Sequence, residues 1–200
     1  MKRFLRIFAI AAMLMAALMI LPIHGESEIY DRVIRLHVLA NSDSKQDQEI
    51  KLHVRDAVLK KTHTLLENVD KREDAEAVLR DAIPVLEHTA AEALRQLDCE
   101  DAVSVTLGEE RYPTRQYESL AFPAGEYLSL RVMIGSAEGQ NWWCVLFPPL
   151  CLSAAAEQDT EAVCLSAGLT GEQYRMIADT DSTKYKLRFK ILEVAESLFG

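Results

Sequence analysis

From Asn141 to Cys151 the chain reads Asn-Trp-Trp-Cys-Val-Leu-Phe-Pro-Pro-Leu-Cys, a run with two adjacent tryptophans, two cysteines, a double proline and no charge. Strand alternation puts Trp143, Val145 and Phe147 on one face and Trp142, Cys144 and Leu146 on the other, so both faces are apolar. Such a segment needs cover on both sides. It is either a buried central strand between two layers or a partner surface that offers a large ring as an anchor. Pro148 and Pro149 close it, because neither can donate to a sheet ladder.

The N-terminus sets the compartment to be expected. Lys2, Arg3 and Arg6 precede an uncharged apolar run from Ile7 to Leu21, shorter than the ~20 residues that span a bilayer comfortably, which is the shape of a secretory signal. Pro22 ends the apolar region and Gly25 is the best cleavage candidate, although an uncleaved anchor fits the same residues. Residues 1–25 are therefore read as a signal peptide or anchor, and residues 26–200 as a single exported domain. Removing the three positive charges of Met1 to Gly25 moves the net charge from −9 to −12 (−9 − 3). An acidic body lacks the basic footprint that nucleic acid requires, and it would touch a membrane only through an uncleaved N-terminal segment.

Periodicity along the rest predicts an α+β fold, a small, mostly antiparallel sheet of about four to five strands packed against helices. Val33 to Ala40 alternates as a strand with one buried face, leaving Arg35 and His37 on a polar one. Asn41-Ser42-Asp43-Ser44 ends it, and Asp43 with Gln46 has the form of a capping box for a helix reaching about Val69. That helix carries two apolar stripes, Ile50, Val54, Ala57, Val58 and Leu65 against Leu52, Leu59 and Leu66, and so asks for two neighbours. Asp70 with Glu73 suggests the next cap, before a stripe from Ala75 to Leu97 with a kink or break expected at Pro84. Val103, Val105 and Leu107 alternate as a strand, Gly108 to Pro113 reads as a turn, and Leu128, Leu130, Val132 and Ile134 alternate again after Pro123-Ala124-Gly125. The short Gly135 to Gly139 link predicts that the Trp-Trp strand is the hairpin partner of the preceding one. Helices are expected from Ser153 to Ser166, after a Thr170/Gln173 cap as far as Ala178, and near the C-terminus with Leu187, Ile191, Val194, Ala195 and Leu198 on one face.

Outside the cytoplasm Cys99, Cys144, Cys151 and Cys164 allow two bridges in three connectivities, or remain buried thiols. A bridge between Cys144 and Cys151 across the Pro-Pro bend is one possibility. No Cys-x-x-Cys pair marks a zinc site. Asn41, Asp43 and Asp47 have calcium-binding chemistry but lack the glycine and terminal glutamate of an EF-hand, and capping accounts for them more simply. Neither a metal nor a cofactor is expected. No Gly-x-Ser-x-Gly is present, and the histidines at 37, 53, 63 and 88 have no catalytic motif around them. Asp179-Thr180-Asp181 lacks the glycine and second copy of an aspartic protease and reads as turn material.

The run from Arg35 to Ser44, with Asp47-Gln48, Lys51 and Val54 to Val58, resembles the opening block of the stage II sporulation protein R family. Pro113-Thr114-Arg115, Tyr117, Pro123 to Tyr127 and Asn141 to Cys151 resemble its later motifs in the same order. From Leu152 to Gly200 the match is poor apart from the final helix, so nothing functional is carried over there. The resemblance implies a signal in endospore-forming bacteria, made in the forespore and exported into the space between the two membranes. There it would trigger a membrane-bound aspartic protease of the mother cell, stage II sporulation protein GA, which processes the precursor of sigma factor E. A protein of this kind is a ligand and not an enzyme.

Two classes of function follow, an exported binding module that activates a receptor-protease and an extracytoplasmic hydrolase using His37 with Asp43 or Asp47. For the first, the candidate contact residues are Arg35 and His37 on the first strand, the turn residues Asn41, Ser42, Asp43 and Asp47, and Asn141, Trp142, Pro148 and Pro149. Solvation and helix capping compete with partner contact for the turn residues.

Overall fold

The computed structural model describes residues 29–117, 120–151 and 159–179. The N-terminal apolar segment, the first half of the helix expected from Ser153 and the C-terminal helix lie outside them. Among the described residues no helix is long and apolar enough to cross a membrane.

The fold is α+β. Its main sheet holds β1 (Ile34–Leu39), β2 (Val103–Tyr112), β5 (Gly125–Ile134) and β6 (Asn141–Phe147), in the order β2-β5-β1-β6, while β3 (Arg115–Tyr117) and β4 (Leu120–Phe122) form a separate pair. The helices lying wholly within the described residues are α1 (Lys45–Leu66), α2 (Arg72–Arg95), α3 (Thr160–Ser166) and α4 (Gly171–Ala178).

The sheet corrects the expected hairpin. β1 lies between β5 and β6, parallel to the first and antiparallel to the second. The Gly135 to Gln140 link therefore steps over the end of β1 instead of turning tightly back. Alternation cannot report this, because it says which face a residue takes and not which strand lies beside it. Gly108 to Pro113 is not a turn either. β2 pairs with β5 without interruption from Val103 to Tyr112, and the full ladder outweighs the weak strand preference of Gly108, which has open space around its α-carbon.

Two cores sandwich the sheet. On one face Ile34, Leu36, Val38, Leu128, Leu130 and Val132 meet α1 and α2 through Val54, Val58, Leu79 and Leu86. On the other, Val33, Tyr112, Tyr127 and Val145 join Phe122 of the small sheet with Cys164, Leu169 and Ile177 from the α3–α4 region. β1 is thus buried on both faces, contrary to the one-sided expectation, and Arg35 and His37 point into the second layer (0% and 5% exposed). The register slips between Ile34 and Arg35, which pair with Phe147 and Val145. Leu146 is the extra residue of this bulge, and Phe147 consequently joins the helix-side core with it instead of sharing a face with Trp143.

Caps and helix ends show where local signals were outranked. Ser44, not Asp43, caps α1, accepting from Asp47 N at 3.0 Å. Lys71 precedes α2 without a side-chain cap, so Asp70 and Glu73 do not form the expected box. α2 runs unbroken through Pro84, whose ring lies on the exposed side while Leu79, Ala82 and Leu86 keep the core stripe. The carbonyl that loses its partner there can turn to water. Thr170 and Gln173 do form a reciprocal capping box. The two stripes of α1 share one core: Leu59 is buried in it, Leu66 packs on it, and Leu52 is exposed.

Candidate functional site: the second sheet face and the β1 turn

Strand order brings polar groups of β1, β2, β5 and β6 into one row on the second face. His37 Nδ1 meets Glu110 Oε1 at 2.8 Å, and its Nε2 meets Asn141 Oδ1 at 2.8 Å. Arg131, opposite His37 on β5, lies 3.3 Å from the same Glu110 oxygen. Burial pushes the Glu110 carboxyl up, but hydrogen bonds from His37 and Ser129, with the nearby positive charges, bring it below the usual carboxylate range. Both ring nitrogens of His37 are engaged. The structure does not pair His37 with Asp43 or Asp47, so the constellation expected of a hydrolase is not assembled.

Arg35 occupies an aromatic box. Its guanidinium carbon lies 4.3 Å from the Tyr112 ring centre, 4.9 Å from Tyr127, 5.4 Å from Phe122 and 5.7 Å from Tyr117. Nε donates to the Cys144 carbonyl at 3.2 Å and Nη2 to the Tyr117 hydroxyl at 2.7 Å. Nη1 is buried without a hydrogen-bond partner, and no described carboxylate pairs with this cation. Ring faces are a weak substitute for a counter-ion, but four of them with two hydrogen bonds offset part of the desolvation cost. Burial pushes the Tyr117 phenol up to about 12 although the Arg35 charge opposes this.

The two tryptophans fall on opposite faces, as alternation requires, and both are half-buried. Trp143 packs with the second core, 5.4 Å from the His37 ring and 6.2 Å from Tyr112, and Arg115 covers it at 3.7 Å. Trp142 packs against the helix-side core, with Arg55 stacked at 4.9 Å. An arginine over each indole completes the cover that the flanking elements leave open.

The turn after β1 is a clamp on the crossover. Asn41 Oδ1 accepts from Ser136 N at 2.9 Å, the Asn41 carbonyl accepts from Ser136 Oγ at 2.7 Å, and Asp43 Oδ1 accepts from Gln140 N at 2.8 Å. From α1, Lys51 donates to the Gln140 carbonyl at 2.9 Å. Asp47 gathers Asn41 Nδ2 at 3.2 Å and Ser42 Oγ at 2.5 Å, and the Ser42 bond leads the causes that hold its carboxyl below the usual range. The fit excludes side chains on the far side: a β-carbon on Gly135, at φ +57°, would lie 2.2 Å from Asn41 Oδ1, and one on Gly139 would lie 2.2 Å from the Ser42 carbonyl. Sequence reasoning took Asn41 and Asp43 for caps or partner contacts and missed this role. Polar residues beside a glycine-bounded link were the available signal.

Of the residues expected to meet a partner, the structure buries Arg35, His37 and Pro148, half-buries Asn41, Ser42, Asp47 and Trp142, and exposes Asp43, Asn141 and Pro149. Cys144 and Cys151 are brought together at the Pro-Pro turn, and all four cysteines are free thiols. Among the described residues no group of three or more His, Cys, Asp or Glu side chains is arranged to hold a metal ion.

The contiguous lattice running from the β1 turn to the Trp-Trp strand coincides with the stretch that known proteins share. Residues 30–157 match the family model described as stage II sporulation protein R. The chain belongs to that family. A curated relative, stage II sporulation protein R of Bacillus subtilis (strain 168), is 42% identical over 123 residues, covering 62% of this chain and 55% of that protein. The match thus spans about half of the relative's length. No solved structure matches. Membership in the stage II sporulation protein R family supports a role in sporulation, and the matched region takes in the clamp, both tryptophans and the arginine box.

Proposed function

We propose that this chain is an exported sporulation signal that works by binding, passing from the forespore into the intermembrane space to activate a membrane-bound aspartic protease, stage II sporulation protein GA, which then processes the precursor of sigma factor E. Family membership over residues 30–157 carries the reading. The basic and apolar N-terminus supports export. The geometry supports binding over catalysis, since the polar side chains of the second face are spent on one another and on the fold. Contact would centre on the start of β6, where exposed Asn141 adjoins half-buried Trp142 and Trp143 and lies beside exposed Asp43. Half-buried tryptophan rimmed by polar groups is the composition of an interface anchor.

Co-expression of the full chain with the membrane protease and a tagged sigma precursor tests the proposal. Processing is expected only when all three are present, and loss is expected when Met1 to Gly25 is deleted. Undiminished processing by the cytoplasmic version would overturn the extracytoplasmic receptor. Turnover of the precursor by the chain without the protease would overturn the division of labour.

A further inference from the structure

We infer that Cys144 and Cys151 are a built dithiol site that closes to an intramolecular disulfide when it meets an oxidised low-molecular-weight disulfide. The inference rests on the exported-signal reading only for where that oxidant would be encountered. Both sulfurs converge on one backbone atom, the Val145 carbonyl oxygen, with Cys151 Sγ at 2.8 Å and Cys144 Sγ at 3.9 Å. The two thiols are also near enough that each perturbs the other's titration. The turn after β6 produces this convergence: Leu150 N donates to the carbonyls of Pro148 at 2.8 Å and Val145 at 3.3 Å, folding the chain back on its own strand.

The other two cysteines are held elsewhere. Cys99 packs at the margin of the helix-side core just beyond α2, and Cys164 is enclosed in the second core. Cys144 is buried, whereas Cys151 is partly exposed and lines a cavity of about 210 Å³ between α1, the Pro-Pro turn and α3. A small reagent therefore has a way in. The neighbouring Cys151 side chain holds the Cys144 thiol below its usual range, while burial and the neighbouring Cys144 push the Cys151 thiol up.

The chemistry is thiol–disulfide exchange. One thiolate attacks a sulfur of the external disulfide, forming a mixed disulfide and releasing one small thiolate. The second cysteine, losing its proton to solvent, attacks the protein-bound sulfur and expels the other small thiolate. In sum, two protein thiols and one external disulfide give one protein disulfide and two small thiols. The product would fasten the Pro148 to Cys151 turn to β6, fixing one wall of that cavity.

The test uses the purified full chain, folded, in oxidised glutathione. Thiols are then blocked, the chain is unfolded and digested, and the peptides are mapped by mass. A fall from four free thiols to two, with a single linked peptide pair joining Cys144 to Cys151, is the expected result. Four remaining thiols, or any link to Cys99 or Cys164, would overturn it. The Cys99→Ser/Cys164→Ser variant should still close, whereas Cys144→Ser and Cys151→Ser should each stop at a single mixed disulfide or not react. This outcome does not depend on protease activation, so it can fail while the signalling proposal stands, and the reverse.

Discussion

On its helix side the sheet presents Ile34, Leu36 and Val38 to aliphatic side chains of α1 and α2, with nothing to satisfy but volume. One residue along, the same strand presents Arg35 and His37 to the other layer, where burial is reached through four aromatic rings, a histidine–glutamate contact and several hydrogen bonds. Aliphatic packing is non-directional and tolerates volume-conserving exchange, whereas the polar-aromatic layer depends on each partner's position. Position-dependent chemistry of this kind is where specificity for a partner can be built. The aliphatic face makes the domain; the other face and the clamp at its end make it this domain.

Substitutions on adjacent residues of β1 should separate the two faces most clearly. Leu36→Ala should cost about 2–5 kcal/mol by leaving a cavity, and Arg35→Ala roughly as much, through lost packing and stranded acceptors. Arg35→Met, which refills the box without charge, should recover most of that loss, as buried ions replaced by apolar groups often do. Urea unfolding of the three variants decides it. If Met is no better than Ala, hydrogen bonds to Cys144 and Tyr117 rather than ring packing hold the second layer together.

The tryptophans give the next largest contrast. Trp143→Ala, which strips cover from His37, Tyr112 and Arg115, should cost about 3 kcal/mol, and Trp142→Ala about 1–2 kcal/mol because Arg55 stacks on it but no described aromatic ring does. Processing assays beside melts would show whether Trp142 matters more to activation than to folding. Equal destabilisation would make the whole segment core and move the partner surface elsewhere.

At the β1 turn, Ser44→Ala removes only a helix cap and should cost about 1 kcal/mol. Asn41→Ala removes the Ser136 clamp as well and should cost about 2 kcal/mol. Equal losses would return Asn41 to a local role. The smallest effect near neutrality belongs to Glu110→Gln, whose signature is in acid. With its folded carboxyl lowered, Glu110 contributes stability that is full above the unfolded carboxylate range and is lost as pH falls through the lowered folded value. The variant should therefore show a shallower acid limb in pH-dependent melts, and an unchanged limb would assign acid sensitivity to other groups.

Several of these residues could be read from the chain alone, and the reasons differ. The Thr170–Gln173 box was legible because a capping box is a contact between residues three apart. The separation of Trp142 from Trp143 was legible because alternation is fixed by the backbone. Phe147 was misplaced because a bulge, set by pairing with β1, breaks that alternation without leaving a local mark. Asn41 and Asp43 were read as caps or partner contacts because their partners within the fold lie roughly a hundred residues away on the crossover link. The short strands β3 and β4 went unread because three residues are too few to show a period.

The sequence by itself determined the α+β class, the amphipathic helices, the apolar strands and the family, since all of these reside in local periodicity or in motifs of adjacent residues. Only the tertiary structure decided that β1 sits between β5 and β6, that Arg35 is boxed by aromatics, and that Cys144 and Cys151 meet on one carbonyl. Which strand lies beside which is settled by the summed burial of two layers and the satisfaction of every polar group trapped between them. No window of neighbouring residues contains that sum.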